Sequence, residues 1–156
     1  MTTSIVTSTD PTSRVIERWL ASVQHEYQER VTRGAALYDE TIPNWFNMIN
    51  MATLDVADAT HCVASQLDRA RGCRRQREPG SAWYLAETRV PDDATVEGER
   101  YFGIFLERDE DWHWAEQYEA GYALLTDLWR REVVRRRVAS AQAITRGIQW
   151  PQLVSV

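Results

Sequence analysis

A long amphipathic pattern near the start of the chain constrains its fold more than any other feature. Apolar residues recur there at every fourth position and form one helical face: Val15, Trp19, Val23, Tyr27 and Val31. Asp10 followed by Pro11 is typical of a helix start, because the carboxylate can cap a free backbone N–H and proline lacks that group. Pro43 disfavours helical backbone just before it. The pattern therefore predicts a helix to about Thr41, either continuous or broken near Gly34.

Two further segments carry helical patterns. Asp55 or Asp58 can cap a second helix that ends near Gly72, and its expected buried stripe is Ala59, Cys62, Val63, Gln66 and Leu67. A final helix is expected to extend to about Ala143, and the spaced residues of its apolar face are Trp114, Tyr118, Leu125, Leu128 and Trp129. These patterns predict a mostly α protein.

The middle of the chain is compatible with two different structures. Aromatic and branched residues over Trp83–Val90 and Tyr101–Leu106 suit the two strands of a short β-hairpin. Asp92 or Asp93 can instead cap a short helix over residues 94–100. Periodicity does not distinguish them, so the hairpin stays an alternative.

Length and composition predict one folded domain. The chain has 156 residues, of which 44% are hydrophobic, and a chain of this size can bury a sizeable core. We expect a compact helical domain over residues 10–156 after a flexible, Ser- and Thr-rich leader over residues 1–9. The start lacks an apolar export signal, and two cysteines are too few for a secreted disulfide framework. The expected location is a reduced cytoplasm, that of the host if a phage encodes the protein.

All eighteen basic residues are arginines, and ten of them lie in two runs, Arg69–Arg77 and Arg130–Arg137. Both runs fall near predicted helix ends, where cations interact favourably with the helix dipole. The alternative is a functional one, in which the runs meet and bind an anion or a partner. The candidate contact residues are Arg71, Arg74, Arg75, Arg77, Arg135, Arg136 and Arg137.

Asp39 and Glu40 form a second candidate site. They lie near the predicted end of the first helix, where the dipole disfavours negative charge unless an arginine or a backbone N–H meets it. This mismatch predicts a specific polar contact, and a structural role for it is favoured over a functional one.

The sequence predicts no catalytic residue, no cofactor site and no metal site. His61 and Cys62 are adjacent, so on a helix they point in different directions, and Cys62 belongs to an apolar stripe. His113 and Glu116 have a metal-binding spacing but lack a second pair of ligands. Phosphate loops, hydrolase elbows and zinc patterns are also missing. The chain is therefore expected not to be an enzyme.

One motif carries a family resemblance. Within residues 34–67 its positions are Leu37, Asp39, Glu40, Pro43, Trp45, Ile49, Leu54, Asp55, Cys62, Val63 and Gln66. With the segment Tyr122–Arg131, this pattern resembles a family of small proteins from actinobacteria and their bacteriophages. Ser65 stands where that family usually has glycine, and the helix before Gly34 looks like an extension. The resemblance implies a biological setting but no activity, cofactor or catalytic residue.

Net charge and composition favour binding to a protein. The formal charge of −5 opposes nonspecific attraction to nucleic acid or to anionic lipid. The leading hypothesis is a non-enzymatic accessory protein of a phage or an actinobacterium that binds a host or phage protein. The first alternative is a nucleic-acid-binding regulator that uses the arginine runs. The second is a virion or self-assembling component, for which the long first helix would form a homo-oligomer seam. No membrane association is expected.

Overall fold

The computed structural model describes residues 10–106 and 115–147, and these parts are mostly helical. The five helices are α1 (Pro11–Thr41), α2 (Val63–Ala70), α3 (Ala82–Thr88), α4 (Gly98–Tyr101) and α5 (Ala115–Thr145). A 3₁₀ turn, Trp45–Met48, follows α1. No strand occurs in the described part of the chain. The leader over residues 1–9 and Trp114, expected in the last helix, lie outside the described residues.

Helix α1 begins and ends where the sequence predicts, and it is continuous. The Asp10 carboxylate accepts a hydrogen bond from the Thr12 N–H at 3.3 Å, and Pro11 occupies the first helical position. The helix does not break near Gly34, because this glycine serves close packing. A Cβ atom there would lie 2.2 Å from the Phe102 carbonyl oxygen and 2.8 Å from the Trp129 ring. Only glycine allows α1 to approach these neighbours so closely.

Helices α1 and α5 are the longest elements, with 31 residues each, and they run in the same direction. Gly34 lies against Trp129, and further along both helices Asp39 lies against Arg136. Tyr38, Trp45 and Trp129 surround one point of the core, with ring centroids 5.9 to 6.2 Å apart. Aromatic rings at these distances add stabilisation beyond the area they bury. This triangle joins α1, the 3₁₀ turn and α5.

Helix α2 is shorter than the sequence predicts. It begins at Val63 with Cys62 as its N-cap residue, so neither Asp55 nor Asp58 caps it. Asp58 instead organises the turn before the helix, where its carboxylate accepts the Thr60 N–H at 2.8 Å. The same carboxylate lies 2.6 Å from His61 Nδ1. Hydrogen bonds from His61 and Thr60 hold the pKa of Asp58 well below its usual range.

The middle of the chain does not form the hairpin, and only the last part of the alternative helix over residues 94–100 is helical. This part is α4, and its N-cap residue is Glu97, not Asp92 or Asp93. Most of the first expected strand lies in α3, whose start is capped by the Ser81 hydroxyl accepting the Tyr84 N–H at 3.1 Å. The buried residues of α3 are Ala82, Trp83 and Ala86, which have helical spacing. The aromatic residues of this segment favour a strand by composition alone, so composition predicted the wrong element. The second expected strand contains the end of α4 and irregular chain up to residue 106.

Asp68 is a buried carboxylate that connects α2 to the start of α3. Its Oδ1 accepts a hydrogen bond from the Ala82 N–H at 2.6 Å. Its Oδ2 is buried and accepts no hydrogen bond from a described residue. Burial therefore raises the pKa of Asp68, and the backbone hydrogen bonds from Ala82 and Trp83 oppose this effect only in part.

Stability should respond to this carboxyl group as the pH changes. A raised pKa means that the folded state binds the proton more tightly than the unfolded state. The contribution of Asp68 to stability therefore decreases as the pH rises from the pKa of the unfolded state to that of the folded state. Asp68→Asn removes the titration. We expect wild type to lose stability relative to Asp68→Asn as the pH rises above about 4, the usual pKa of an aspartate in an unfolded chain, as measured by urea unfolding. A difference that stays constant with pH would contradict the assignment.

Candidate functional site

Asp39 and Arg136 form a buried ion pair between α1 and α5. Arg136 Nε lies 2.8 Å from Asp39 Oδ1, and Nη2 lies 2.7 Å from Oδ2. Each side chain is only 7% exposed. Trp45 Nε1 donates a further hydrogen bond to Asp39 at 2.8 Å, and Glu132 also binds Arg136. Burial alone would lower the pKa of Arg136, but the hydrogen bonds that it donates to the Asp39 and Glu132 carboxylates, with their negative charges, outweigh burial and raise the pKa.

Glu40, the other acidic candidate, does not share this environment. It is exposed and lies at the edge of a shallow groove that also contains Arg33 and Tyr101. Arg33 stacks over the Tyr101 ring at 4.1 Å and donates to the Tyr101 carbonyl at 3.0 Å. Asp39 and Glu40 therefore belong to different surroundings, and Asp39 is part of the core.

The remaining arginines of the second run mainly connect α5 to the chain that follows α1. Arg137 donates to the carbonyl groups of Phe46 and Ile49. Arg135 pairs with Glu132 at 2.8 Å and stays 66% exposed. Because Arg136 is buried and Arg137 is half-buried, the three candidate residues Arg135, Arg136 and Arg137 do not together form an exposed cationic site.

The arginines of the first run have other partners. Arg71 donates to the Gly80 carbonyl at 2.9 Å. Arg77 pairs with Glu87 at 2.8 Å and with Glu99 at 2.9 Å. Arg74 and Arg75 are exposed and form no ion pair with a described residue. Within residues 10–106 and 115–147 the two runs have no hydrogen-bond partner in common, so the structure does not join them into one contact site.

A partly enclosed cleft lies beside α3 and α4. It has a volume of about 270 Å³. We call it the α3–α4 cleft and define it by six of its lining residues: Cys62, Arg77, Trp83, Glu99, Arg100 and Phe105. They come from four separate segments, so only the folded chain creates the site. Its full lining combines aromatic rings, guanidinium groups and the carboxylates of Glu97 and Glu99.

Charged groups at the rim of the α3–α4 cleft are held in a fixed arrangement. Gly98 makes this possible, because a Cβ atom there would lie 2.1 Å from the Ala86 carbonyl oxygen. The close approach of α4 to α3 places Glu99 beside Glu87, and Arg77 bridges the two carboxyl groups. Burial and the hydrogen bond to Glu99 raise the pKa of Glu87, while Arg77 opposes this shift.

The backbone of Arg77 is strained, with φ of +67°. A residue other than glycine pays of order 1 kcal/mol for this left-handed conformation, so surrounding contacts must hold it. The two ion pairs of Arg77 supply such contacts. The position of this guanidinium group at the cleft is therefore determined by the fold.

The thiol in the α3–α4 cleft is not activated. Cys62 is 1% exposed, and burial raises its pKa above the usual thiol value, which keeps it protonated at neutral pH. Its sulfur contacts the Ser65 hydroxyl at 3.4 Å, which also accepts the Trp83 indole N–H at 3.2 Å. No metal-binding group of His, Cys, Asp or Glu side chains occurs among the described residues.

Sequence reasoning did not single out Trp83, Glu99 or Phe105 as site residues. The sequence signal that could have indicated Trp83 is Ser81, which follows Pro79 and Gly80 and caps α3. Trp83 is one of the buried residues of that helix. The position of Glu99 depends on helix packing at Gly98, which no local pattern encodes.

The described residues form a helical protein that combines two long parallel helices with a cleft built from shorter segments. Comparison with protein-family models, with curated proteins and with solved structures finds no match for the chain. None of the helices in the described ranges combines the length and the apolar character that crossing a bilayer requires.

Proposed function

We propose that the chain is a non-enzymatic accessory protein of an actinobacterium or its phage, and that it binds a protein partner at the α3–α4 cleft. The observation that carries the proposal is the lining of this cleft. Phe105 is 42% exposed, Trp83 forms a buried wall, and Arg77 and Arg100 flank them. Tryptophan and arginine are the residues that most often dominate binding energy at protein interfaces.

The α3–α4 cleft has a volume of about 270 Å³, close to the lower end of the range of about 300 to 1,000 Å³ that is typical of small-molecule pockets. A volume of this order suits one or two anchor side chains of a partner. The surrounding surface would then supply the rest of the contact area.

A capture experiment with matched variants tests this proposal. The tagged protein is purified from an actinobacterial host with nuclease present, and bound proteins are identified by mass spectrometry. Phe105→Ser changes the cleft, whereas Val15→Ser changes a residue of similar exposure, 45% against 42%, in the first turns of α1. We expect Phe105→Ser to lower recovery of a stoichiometric partner about tenfold, which corresponds to about 1.4 kcal/mol, and Val15→Ser to leave it unchanged.

Two results would contradict the proposal. One is that wild type retains no protein above background. The other is that Phe105→Ser and Val15→Ser recover the same partner equally well, which would place the interface elsewhere.

A nucleic-acid-binding regulator is the second candidate, and the exposure of Arg74 and Arg75 favours it. Their guanidinium groups form no ion pair with a described residue, so they remain able to contact phosphates. Arg74→Glu with Arg75→Glu should then abolish binding to a DNA or RNA duplex, and wild-type binding should weaken steeply with salt. Arg136 is unsuitable for this test because its replacement breaks a buried ion pair. Unchanged duplex binding in the double variant would remove this candidate.

A further inference from the structure

The outer face of α5 exposes apolar side chains that the core does not use. Val134 is 49% exposed and Val138 is 50% exposed, one helical turn further on. The opposite face of α5 is buried through Trp129, Val133 and Arg136. Valine is a weaker helix former than alanine, leucine or arginine, so helix propensity does not explain two valines at exposed positions.

Positive charge surrounds these valines. From Asp127 to Thr145, α5 carries five arginines and two acids, a net charge of +3 within a chain of −5. Helical spacing places Arg131 and Arg135 beside Val134 and Val138, and both arginines are 66% exposed. Arg131 pairs with Asp127, which is 50% exposed, at 2.7 Å. Glu132, the acid that pairs with Arg135, is buried and also neutralises Arg136. The outer face therefore keeps an excess of positive charge.

The opposite flank of the valines lies toward the chain that follows α1. Arg130 donates to the Leu54 carbonyl at 3.0 Å, and Arg137 ties the 3₁₀ turn to α5 through the Phe46 carbonyl. Met48, the last residue of this turn, is 36% exposed. Val134 and Val138 thus form an apolar stripe. The chain that follows α1 lies on one side of it, and the exposed guanidinium groups of Arg131 and Arg135 lie on the other.

We propose that this outer α5 face, defined by Arg131, Val134, Arg135 and Val138, docks an acidic amphipathic helix of a protein partner. Apolar side chains of the partner helix would pack on the valines, with the ridges of one helix in the grooves of the other. Glutamates or aspartates on its flank would pair with Arg131 and Arg135, where complementary charge selects the partner and speeds its association. This surface is separate from the α3–α4 cleft, so either proposal can fail without the other.

Two designed peptides of about 18 residues test the proposal, a length at which helices begin to form alone. Both carry the same leucine stripe, flanked by glutamates in one and by lysines in the other. Binding to the full-length protein is measured by fluorescence anisotropy. We expect the glutamate peptide to bind at least about tenfold more tightly at about 50 mM salt, and the preference to shrink at about 500 mM salt.

Variants separate the apolar contribution from the charge contribution. Val134→Ser with Val138→Ser should abolish binding of both peptides, and Arg131→Gln with Arg135→Gln should remove the preference for the glutamate peptide. Two control variants should bind both peptides as tightly as wild type does. They are Val15→Ser, at another exposed valine, and Phe105→Ser, in the α3–α4 cleft. Circular dichroism confirms that each variant is folded. If the valine double variant unfolds, the conservative Arg131→Gln and Arg135→Gln changes still test the proposal.

Four outcomes would overturn the proposal. They are equal binding of the two peptides, no binding of the glutamate peptide up to about 1 mM, wild-type binding by the valine double variant, and a self-association that this variant abolishes. The last result would identify a second copy of the chain as the occupant of the outer α5 face.

Discussion

Replacing Asp39 with alanine should lower the free energy of unfolding by about 3 kcal/mol, the largest effect expected of any single substitution considered for this protein. The change leaves the Arg136 guanidinium buried at 7% exposure with one acidic partner, Glu132, in place of two. It also removes the acceptor of the Trp45 indole N–H. Urea unfolding followed by tryptophan fluorescence measures the loss, because Trp45 and Trp129 report on the same part of the core.

The neighbouring residue provides the control for this experiment. Glu40→Ala alters an exposed carboxylate and should change stability by less than about 0.5 kcal/mol. A cycle with Arg136→Met should be strongly non-additive, since removing Asp39 and Arg136 together leaves no unpaired charge between them, and Glu132 still pairs with Arg135. Equal effects of Asp39→Ala and Glu40→Ala, or strict additivity in the cycle, would show that the buried pair is not a coupled unit.

Gly34→Ala should destabilise the protein by about 2 to 3 kcal/mol, although alanine is the better helix former. The added methyl group would lie 2.2 Å from the Phe102 carbonyl oxygen and 2.8 Å from the Trp129 ring. Neither neighbour can move freely, because Phe102 is buried and the Trp129 indole N–H donates to the Gly103 carbonyl at 2.7 Å. Relieving the clash requires α1 to move away from α5. Thermal and urea unfolding both measure the effect.

Ala36→Gly is the matched control, because Ala36 is an exposed residue two positions further along α1. This substitution removes a methyl group, whereas Gly34→Ala adds one. It should lower the free energy of unfolding only by the difference in helix propensity, about 1 kcal/mol. If Gly34→Ala instead raised stability by about that amount, helix propensity rather than packing would decide the identity of residue 34.

The two long helices were predictable from the sequence, and the reasons are local. Asp10 and Pro11 encode the start of α1, Pro43 lies just beyond its end, and an apolar residue at every fourth position maintains it. α5 has the same kind of periodicity and ends at Thr145, close to the expected Ala143. In a long amphipathic helix the apolar residues recur over many turns. A single irregular position such as Gly34 therefore does not prevent the prediction of the helix.

Short helices and long-range contacts could not be predicted in the same way. α3 and α4 have seven and four residues, too few for a period to be distinguished from a strand pattern. The acids at the end of α1 indicated that a polar contact was needed, but not that its partner would be Arg136, 97 positions along the chain. The α3–α4 cleft depends on the close approach at Gly98, which follows from the packing of two helices rather than from either segment alone.

The parallel arrangement of α1 and α5 has a consequence for synthesis on the ribosome. The partners of α1 in its central contacts, Trp129 and Arg136, are translated about 95 residues after it. Contacts between such distant segments form slowly, because a long loop must close first. The contacts of Tyr38 with Trp129 and of Asp39 with Arg136 therefore cannot form until most of the protein has been made. The growing chain exposes an aromatic surface during that time, and chaperones recognise such surfaces.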